Sequence, residues 1–253
     1  GRTEHIKFYF HDEGCLSADI PNHEMTQLSY IYDPNQPVPT IAATSAAGEL
    51  LNLPDKFDLE LEDPRGYMQT MFYDGGAHQK EKRGLLGSRE PYPLLCSRPD
   101  VLVFETDLLQ KDVEITGGIQ VIIWVSSSAI DTDFTAKLID VYPSSDDYKD
   151  GYHLNLSDSI IRCRYRNGFN KAEMMKPDNL YKIRISLPPI SNVFKANHRI
   201  RIDISSSNYP RFDVNPNTGE DMGKHTYMAK ATNSVYIGKD NLSHVVLPVI
   251  PRI

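Results

Sequence analysis

Cysteine is scarce in this chain, with three in 253 residues. Cys15, Cys96 and Cys163 are odd in number and far apart, so neither a disulfide framework nor a zinc ribbon is expected, and either a reducing compartment or simple buried thiols would account for them. A surplus of positive charge is missing as well. Lys and Arg number 27 against 34 Asp and Glu, a net charge of -7. That balance argues against nucleic acid as a partner, because nonspecific affinity for phosphates comes from cations that displace counterions. No apolar run approaches the ~18 residues of a membrane span, and no charged-then-apolar start marks a signal peptide. No membrane partner is therefore expected. Also absent is any serine with glycines two residues before and after it, the tight elbow on which many hydrolases carry their nucleophile. No Ser-x-x-Lys pair replaces it, and the histidines, among them His5, His11, His78, His153 and His225, stand near no serine and acid in a recognisable order. No catalytic residue, metal or cofactor is expected.

What is present is strand periodicity. Ile119, Val121, Ile123 and Val125 alternate with Gln120, Ile122, Trp124 and Ser126, and Tyr181, Ile183, Ile185 and Leu187 alternate with Lys182, Arg184 and Ser186. Ile200, Ile202 and Ile204 share a face opposite Arg199, Arg201 and Asp203. Period two with β-branched residues predicts half-buried strands of a sheet packed on another sheet. Turn signals separate the runs: Gly117-Gly118, the polar stretch 144–151, Asn167-Gly168, Pro177-Asp178-Asn179, Pro188-Pro189 and Asn215-Pro216-Asn217. An all-β antiparallel sandwich follows. Residues 1–42 are expected to supply its entry strands and 97–253 its main body. Between them residues 43–96 read as a long excursion, Ala-rich, then acidic, then basic, expected to wrap a sandwich edge or reach toward another domain.

Several strings are more particular than turns require. They are Ser97-Arg98-Pro99-Asp100-Val101-Leu102-Val103-Phe104, the segment from Asp131 to Pro143, Ser191 to Ile200, and Ser-Ser-Ser-Asn-Tyr-Pro-Arg-Phe-Asp-Val-Asn-Pro-Asn-Thr-Gly from Ser205 to Gly219. His11-Asp12-Glu13-Gly14-Cys15, Tyr32 to Thr40, and Val245 to Pro251 extend the set to both ends. In this order they resemble the C-terminal β domain of the CocE/NonD and X-Pro dipeptidyl-peptidase group of serine hydrolases. The resemblance implies a jelly roll of the galactose-binding-domain-like type, and an accessory role beside an N-terminal α/β-hydrolase domain of the same parent protein. That parent would cleave a small ester or peptide substrate through a Ser-His-Asp triad lying outside this chain. The chain, beginning at Gly1, is thus expected to be a fragment. Its setting is expected to be cytoplasmic, with a secreted parent and homo-oligomer contacts left open. A stand-alone carbohydrate-binding module is the alternative from another class.

The loop from Ser205 to Gly219 is the candidate site, with Asn208, Tyr209, Arg211, Phe212 and Asp213 as domain-interface or substrate-entrance residues. Arg and aromatic side chains suit an interface, where a flat apolar body is buried and a polar tip finds a partner. The competing reading is a loop that staples its own sandwich. Asp213 to Gly219 superficially suits calcium, but Gly219 and Lys224 stand where an EF-hand needs other residues, and Asx-turns explain the same sequence. Asp131 and Asp133 are expected to fix a turn or to receive an arginine, not to act as an acid–base pair. Arg162, Arg164 and Arg166 read as one face of a strand, a solvated or domain-facing stripe. Trp124 is expected to be buried. The sequons at Asn155 and Asn241 are set aside as chance matches.

Overall fold

The structure is a computed structural model that describes residues 2–41, 77–83, 87–221 and 223–251, with the backbone of two short strands at 49–50 and 68–69. Most of the predicted excursion, from residue 42 to 76, lies outside the described side chains. Among the described residues there is no α-helix, and the strands are β1 (Glu4–Phe10), β2 (Leu16–Ser17), β3 (Thr26–Tyr32), β4 (Glu49–Leu50), β5 (Met68–Gln69), β6 (Leu102–Glu105), β7 (Val113–Ser127), β8 (Asp133–Tyr142), β9 (Tyr152–Arg162), β10 (Tyr181–Phe194), β11 (Arg199–Ser205), β12 (Ala231–Ile237) and β13 (His244–Ile250). One sheet runs β2-β1-β13-β7-β12-β3, with β10 also on β7; a second runs β6-β11-β8-β9, and β4 pairs with β5. Every strand pair is antiparallel.

The central strand β7 explains the arrangement. Along its length it pairs with β10 on one side, and on the other with β13 at one end and β12 at the other. Its odd residues Ile119, Val121, Ile123 and Val125 are buried with Ile183, Ile185 and Leu187 of β10, as the alternation predicts. Facing them across the sandwich are Phe134, Ala136 and Leu138 of β8 and Ile200, Ile202 and Ile204 of β11. Phe10 and Phe104 stack at 4.1 Å in the same core. Removing either ring would cost about 3–5 kcal/mol, the lost transfer energy plus the cavity left behind.

Two expected turns are bulges. Gly117-Gly118 lies inside β7 and Pro188-Pro189 inside β10, and the register slips between Leu187 and Ile190, opposite Gly117. Proline cannot donate to a ladder and glycine weakens one, so both collect where pairing is interrupted. Gly117 has φ +135, and a Cβ there would meet the Pro248 side chain at 3.2 Å. A bulge in β13, between Val246 and Val249, sits beside it.

Strand β11 also departs from the expected half-buried state. Arg201 and Asp203, on the face turned away from the core, are 1% and 4% exposed. The cover comes from the end of the excursion and its flanks: Gln79 and Leu95 are buried, and Val38, Ile41, Leu95 and Val101 form a second small apolar cluster.

Candidate functional site

The Ser205–Gly219 loop leaves β11 and is tied down within three residues. Ser205 Oγ and Thr135 Oγ1 lie 2.7 Å apart, and Ser206 Oγ bonds the Tyr30 hydroxyl at 2.7 Å. Ser207 Oγ accepts from Val38 N at 2.8 Å. Tyr209 N then donates to Val38 O at 2.9 Å, and Thr40 N donates back to Tyr209 O at 2.7 Å. The loop is thereby laced to residues 38–40, which places its next residues against β9. There Asp158, itself buried, is held by Asn208 Nδ2 at 3.3 Å, Asn155 Nδ2 at 3.0 Å and the Arg211 guanidinium.

A second anchor closes the far end of the loop. Asn215 Nδ2 donates to Asp131 Oδ2 at 2.9 Å and to Asp133 Oδ1 at 2.7 Å, and its carbonyl accepts from the Tyr32 hydroxyl. Arg162 grips Asp133 with Nε and Nη2, each at 3.0 Å, while Arg164 grips Asp131. Planar forks of this kind match a carboxylate at two points and satisfy charges that burial would otherwise penalise. Burial pushes Asp133 up to about 6, and Arg162 opposes the shift; the group is ionised at neutral pH. Asn217 N donates to Asn215 Oδ1 at 2.9 Å, the Asx-turn expected in place of a calcium loop.

Two expectations need correction here. The arginine stripe does not exist: β9 ends at Arg162 and residues 163–165 form a 3-10 turn, which carries Arg164 inward to Asp131. Arg166 donates to Cys163 O, so it too serves the turn. Trp124 is half-buried, not buried, because it lies on the outer face of β7, where the Lys182 ammonium sits 5.5 Å from its ring. Asn208, one of the domain-interface or substrate-entrance candidates, is 1% exposed and faces Asp158.

The other loop candidates face outward. Tyr209, Arg211 and Phe212 are half-buried and Asp213 is exposed. Arg211, Phe212 and Asp213 line an open groove of about 640 Å³ with Ile161, Tyr165 and Phe169. Arg211 stacks over the Phe212 ring at 5.0 Å, and Phe169 is 82% exposed. The loop staples its own sandwich, and its outer residues line an open groove with an aromatic rim.

A further polar assembly had no signal in the sequence. Lys137, fully inside, donates to Gln79 Oε1 at 3.0 Å, and Gln79 Nε2 bonds Ile41 O and Ala77 O. Burial drives the Lys137 pKa down to about 8. Beside it Arg201 contacts Asp203 at 2.9 Å and donates to His153 Nδ1 at 2.9 Å. Burial first, and Arg201 second, hold His153 down at about 4, so its neutral ring accepts that bond. These groups come from β8, β9, β11 and residue 79, and only the folded chain brings them together.

His198 and Asp140 are hydrogen-bonded at 2.8 Å, yet among the described residues no serine hydroxyl bonds that histidine. Among the described residues no group of three or more His, Cys, Asp or Glu side chains is placed to hold a metal.

The fold and its loop anchors define a β-sandwich domain whose buried charges hold its loops. The chain belongs to the family of X-Pro dipeptidyl-peptidase C-terminal non-catalytic domains, which it matches over residues 25–246. It is 34% identical over 241 residues to cocaine esterase of Rhodococcus sp. (strain MB1 Bresler), covering 94% of this chain and 35% of that protein. Among solved structures, an aminopeptidase from the marine sediment archaeon Thaumarchaeota archaeon superposes with a TM-score of 0.74 at 25% identity, over 98% of this chain and 37% of the other. An alpha-amino acid ester hydrolase does so with a TM-score of 0.72 at 28% identity, over 97% and 36%. The chain therefore spans about a third of the length of these relatives. Its family is that of the C-terminal β domains of CocE/NonD-type hydrolases, as the sequence motifs implied.

Proposed function

We propose that this domain packs on an N-terminal α/β-hydrolase domain of the same polypeptide and shapes the entrance to its active site. The parent would cleave small esters or peptide bonds through an acyl-enzyme. In that neighbour a serine would attack the carbonyl, a histidine would carry the proton and an aspartate would orient the histidine. Supporting this reading, the similar proteins named above are an esterase, an aminopeptidase and an ester hydrolase, each with some two thirds of its length beyond the part this chain matches.

The observation that carries the docking role is the groove at Phe212. The Ser205–Gly219 backbone is bonded to residues 38–40, and Asn215 is held by the Asp131 and Asp133 carboxylates that the arginines grip, so the loop is preformed before any partner arrives. The groove's rim carries the half-buried Phe212 and the 82%-exposed Phe169 beside Arg211 and Asp213, and exposed apolar surface beside a polar rim marks an interaction site. A preformed surface also costs little ordering entropy on contact. The topology is taken as a jelly roll of the galactose-binding-domain-like type, which puts this loop at one end of the sandwich.

Hydrogen–deuterium exchange tests the proposal. The isolated chain is compared with the longer polypeptide that includes its upstream coding sequence. Amides at 160–169 and 209–213 are expected to exchange more slowly in the longer protein. Equal exchange there in both would remove the docking role from this loop.

A further inference from the structure

Among the turn signals of the sequence, Asn167-Gly168 carries a chemistry of its own, and it is the single Asn-Gly pair in the chain. An asparagine side chain is open to attack by the backbone nitrogen of the residue that follows it. A side chain on that residue crowds the approach, and glycine has none. The fold leaves the approach clear. Asn167, Gly168 and Phe169 are consecutive exposed residues in the loop after β9. Gly168 has φ +127, and among the described residues no heavy atom beyond its chain neighbours lies within 4 Å of where its Cβ would stand. The Gly168 amide donates to Tyr165 O at 3.0 Å, a bond at an exposed turn that opens locally at low cost.

The same asparagine straps its loop together. Asn167 Nδ2 donates to Glu173 Oε2 at 2.8 Å across the loop, and Glu173 N closes its base on Arg164 O at 2.7 Å. Between these bonds stand Tyr165 and Phe169, their rings 5.8 Å apart. An acid in place of the amide would set two carboxylates where a donor and an acceptor now meet. Arg166 is not free to bridge them. Its Nη2 lies 4.0 Å from Glu173 Oε2, but Nη1 is engaged by the carbonyls of Cys163 and Glu173, and the guanidinium lies over the Tyr181 ring at 4.5 Å. A modification that removes a donor and adds like charge loosens the segment that carries it.

We propose that Asn167 is a site of spontaneous deamidation, and that the acid formed there releases the loop at 165–173 from Glu173. Gly168 N bonds to the carbonyl carbon of the Asn167 side chain and gives up its proton. The bond from that carbon to the amide nitrogen breaks, ammonia leaves, and a five-membered imide remains. Water then opens the imide at either carbonyl, giving aspartate, or isoaspartate with the chain running through the side chain. The site does not rest on the hydrolase reading, since both steps need only this chain and water.

Ageing the 253-residue chain in mildly alkaline buffer, followed by peptide mass analysis, tests the reaction. Conversion at Asn167 is expected to outrun that at every other asparagine and to quicken as pH rises, because the attacking amide must lose its proton. Asn167→Gln, which would have to form a larger ring, is expected to stop it. Asn167→Asp shows the consequence directly: amides at 165–169 should exchange with deuterium about 2- to 10-fold faster than in the parent, the loss of one hydrogen bond. Adding Glu173→Gln, which puts a donor opposite the new acid, should restore the parent rate. The proposal is overturned if Asn167 stays intact while a free peptide of residues 164–172 is fully converted under the same conditions. It is equally overturned if Asn167→Asp exchanges like the parent, or if Glu173→Gln does not reverse its effect.

Discussion

Arg164 holds Asp131 by side chain and main chain together: Nε donates to Oδ2 at 2.8 Å and the backbone N donates to Oδ1 at 2.9 Å. Both residues are buried, at 5% and 0% exposure. Losing the guanidinium leaves a carboxylate in a dry interior with only Asn215 and one amide to answer it. Arg164→Ala is expected to lower stability by about 3–5 kcal/mol, the range for an orphaned buried charge, with Asp131→Ala similar and the double variant far less than additive. Urea unfolding of all three checks this. A loss under about 1 kcal/mol for Arg164→Ala, typical of exposed pairs, would show the pair to be solvated.

Lys137 gives the fold a signature on the alkaline side. In the unfolded chain its amine keeps its proton up to the usual 10.5, whereas burial in the fold holds the pKa at about 8. Between these values the unfolded state binds more protons, so stability rises with pH across that window and the gain disappears as pH falls through 8. Lys137→Met is expected to flatten the rise. Denaturation curves at closely spaced pH values measure it, and an identical slope in parent and variant would place the amine in contact with water.

These two cases show what a sequence can and cannot display. Asp131 and Asp133 were legible as arginine acceptors because a pair of acids opening a strand needs compensation. Their partners were not, because reading Arg162, Arg164 and Arg166 as one face assumed a strand that ends at Arg162. Alternation located β7, β10 and the inner face of β11, since period two follows directly from the pleat. It could not tell that Arg201 and Asp203 are buried, because their cover comes from residues more than a hundred positions away. Gly117-Gly118 and Pro188-Pro189 were seen as breaks, and whether a break turns the chain or bulges a strand depends on what pairs across it.

Gly238 is required by its surroundings. Its φ is +116, and a Cβ would come within 2.6 Å of Glu24 O, a backbone atom that cannot swing aside. Gly238→Ala is expected to cost about 1–3 kcal/mol, the range for a strained backbone position. Thermal melting reads this directly; a Tm equal to that of the parent would mean that the β12–β13 connection relaxes freely.

Phe169 separates fold from docking. At 82% exposure it adds little to the sandwich, so Phe169→Ser should shift the stability of the isolated chain by no more than about 0.5 kcal/mol. In the longer polypeptide the same change is expected to lower the temperature at which hydrolytic activity is lost. If both proteins behave like their parents, Phe169 is ordinary solvated surface.

The central claim is that this sandwich is a scaffold whose chemistry belongs to a neighbouring domain. Treatment with a fluorophosphonate, which labels an activated serine covalently, followed by intact-mass and peptide analysis, tests it most directly. The isolated chain is predicted to gain no adduct, and the longer polypeptide to gain one on a serine outside these 253 residues. An adduct on any serine of this chain would contradict the account.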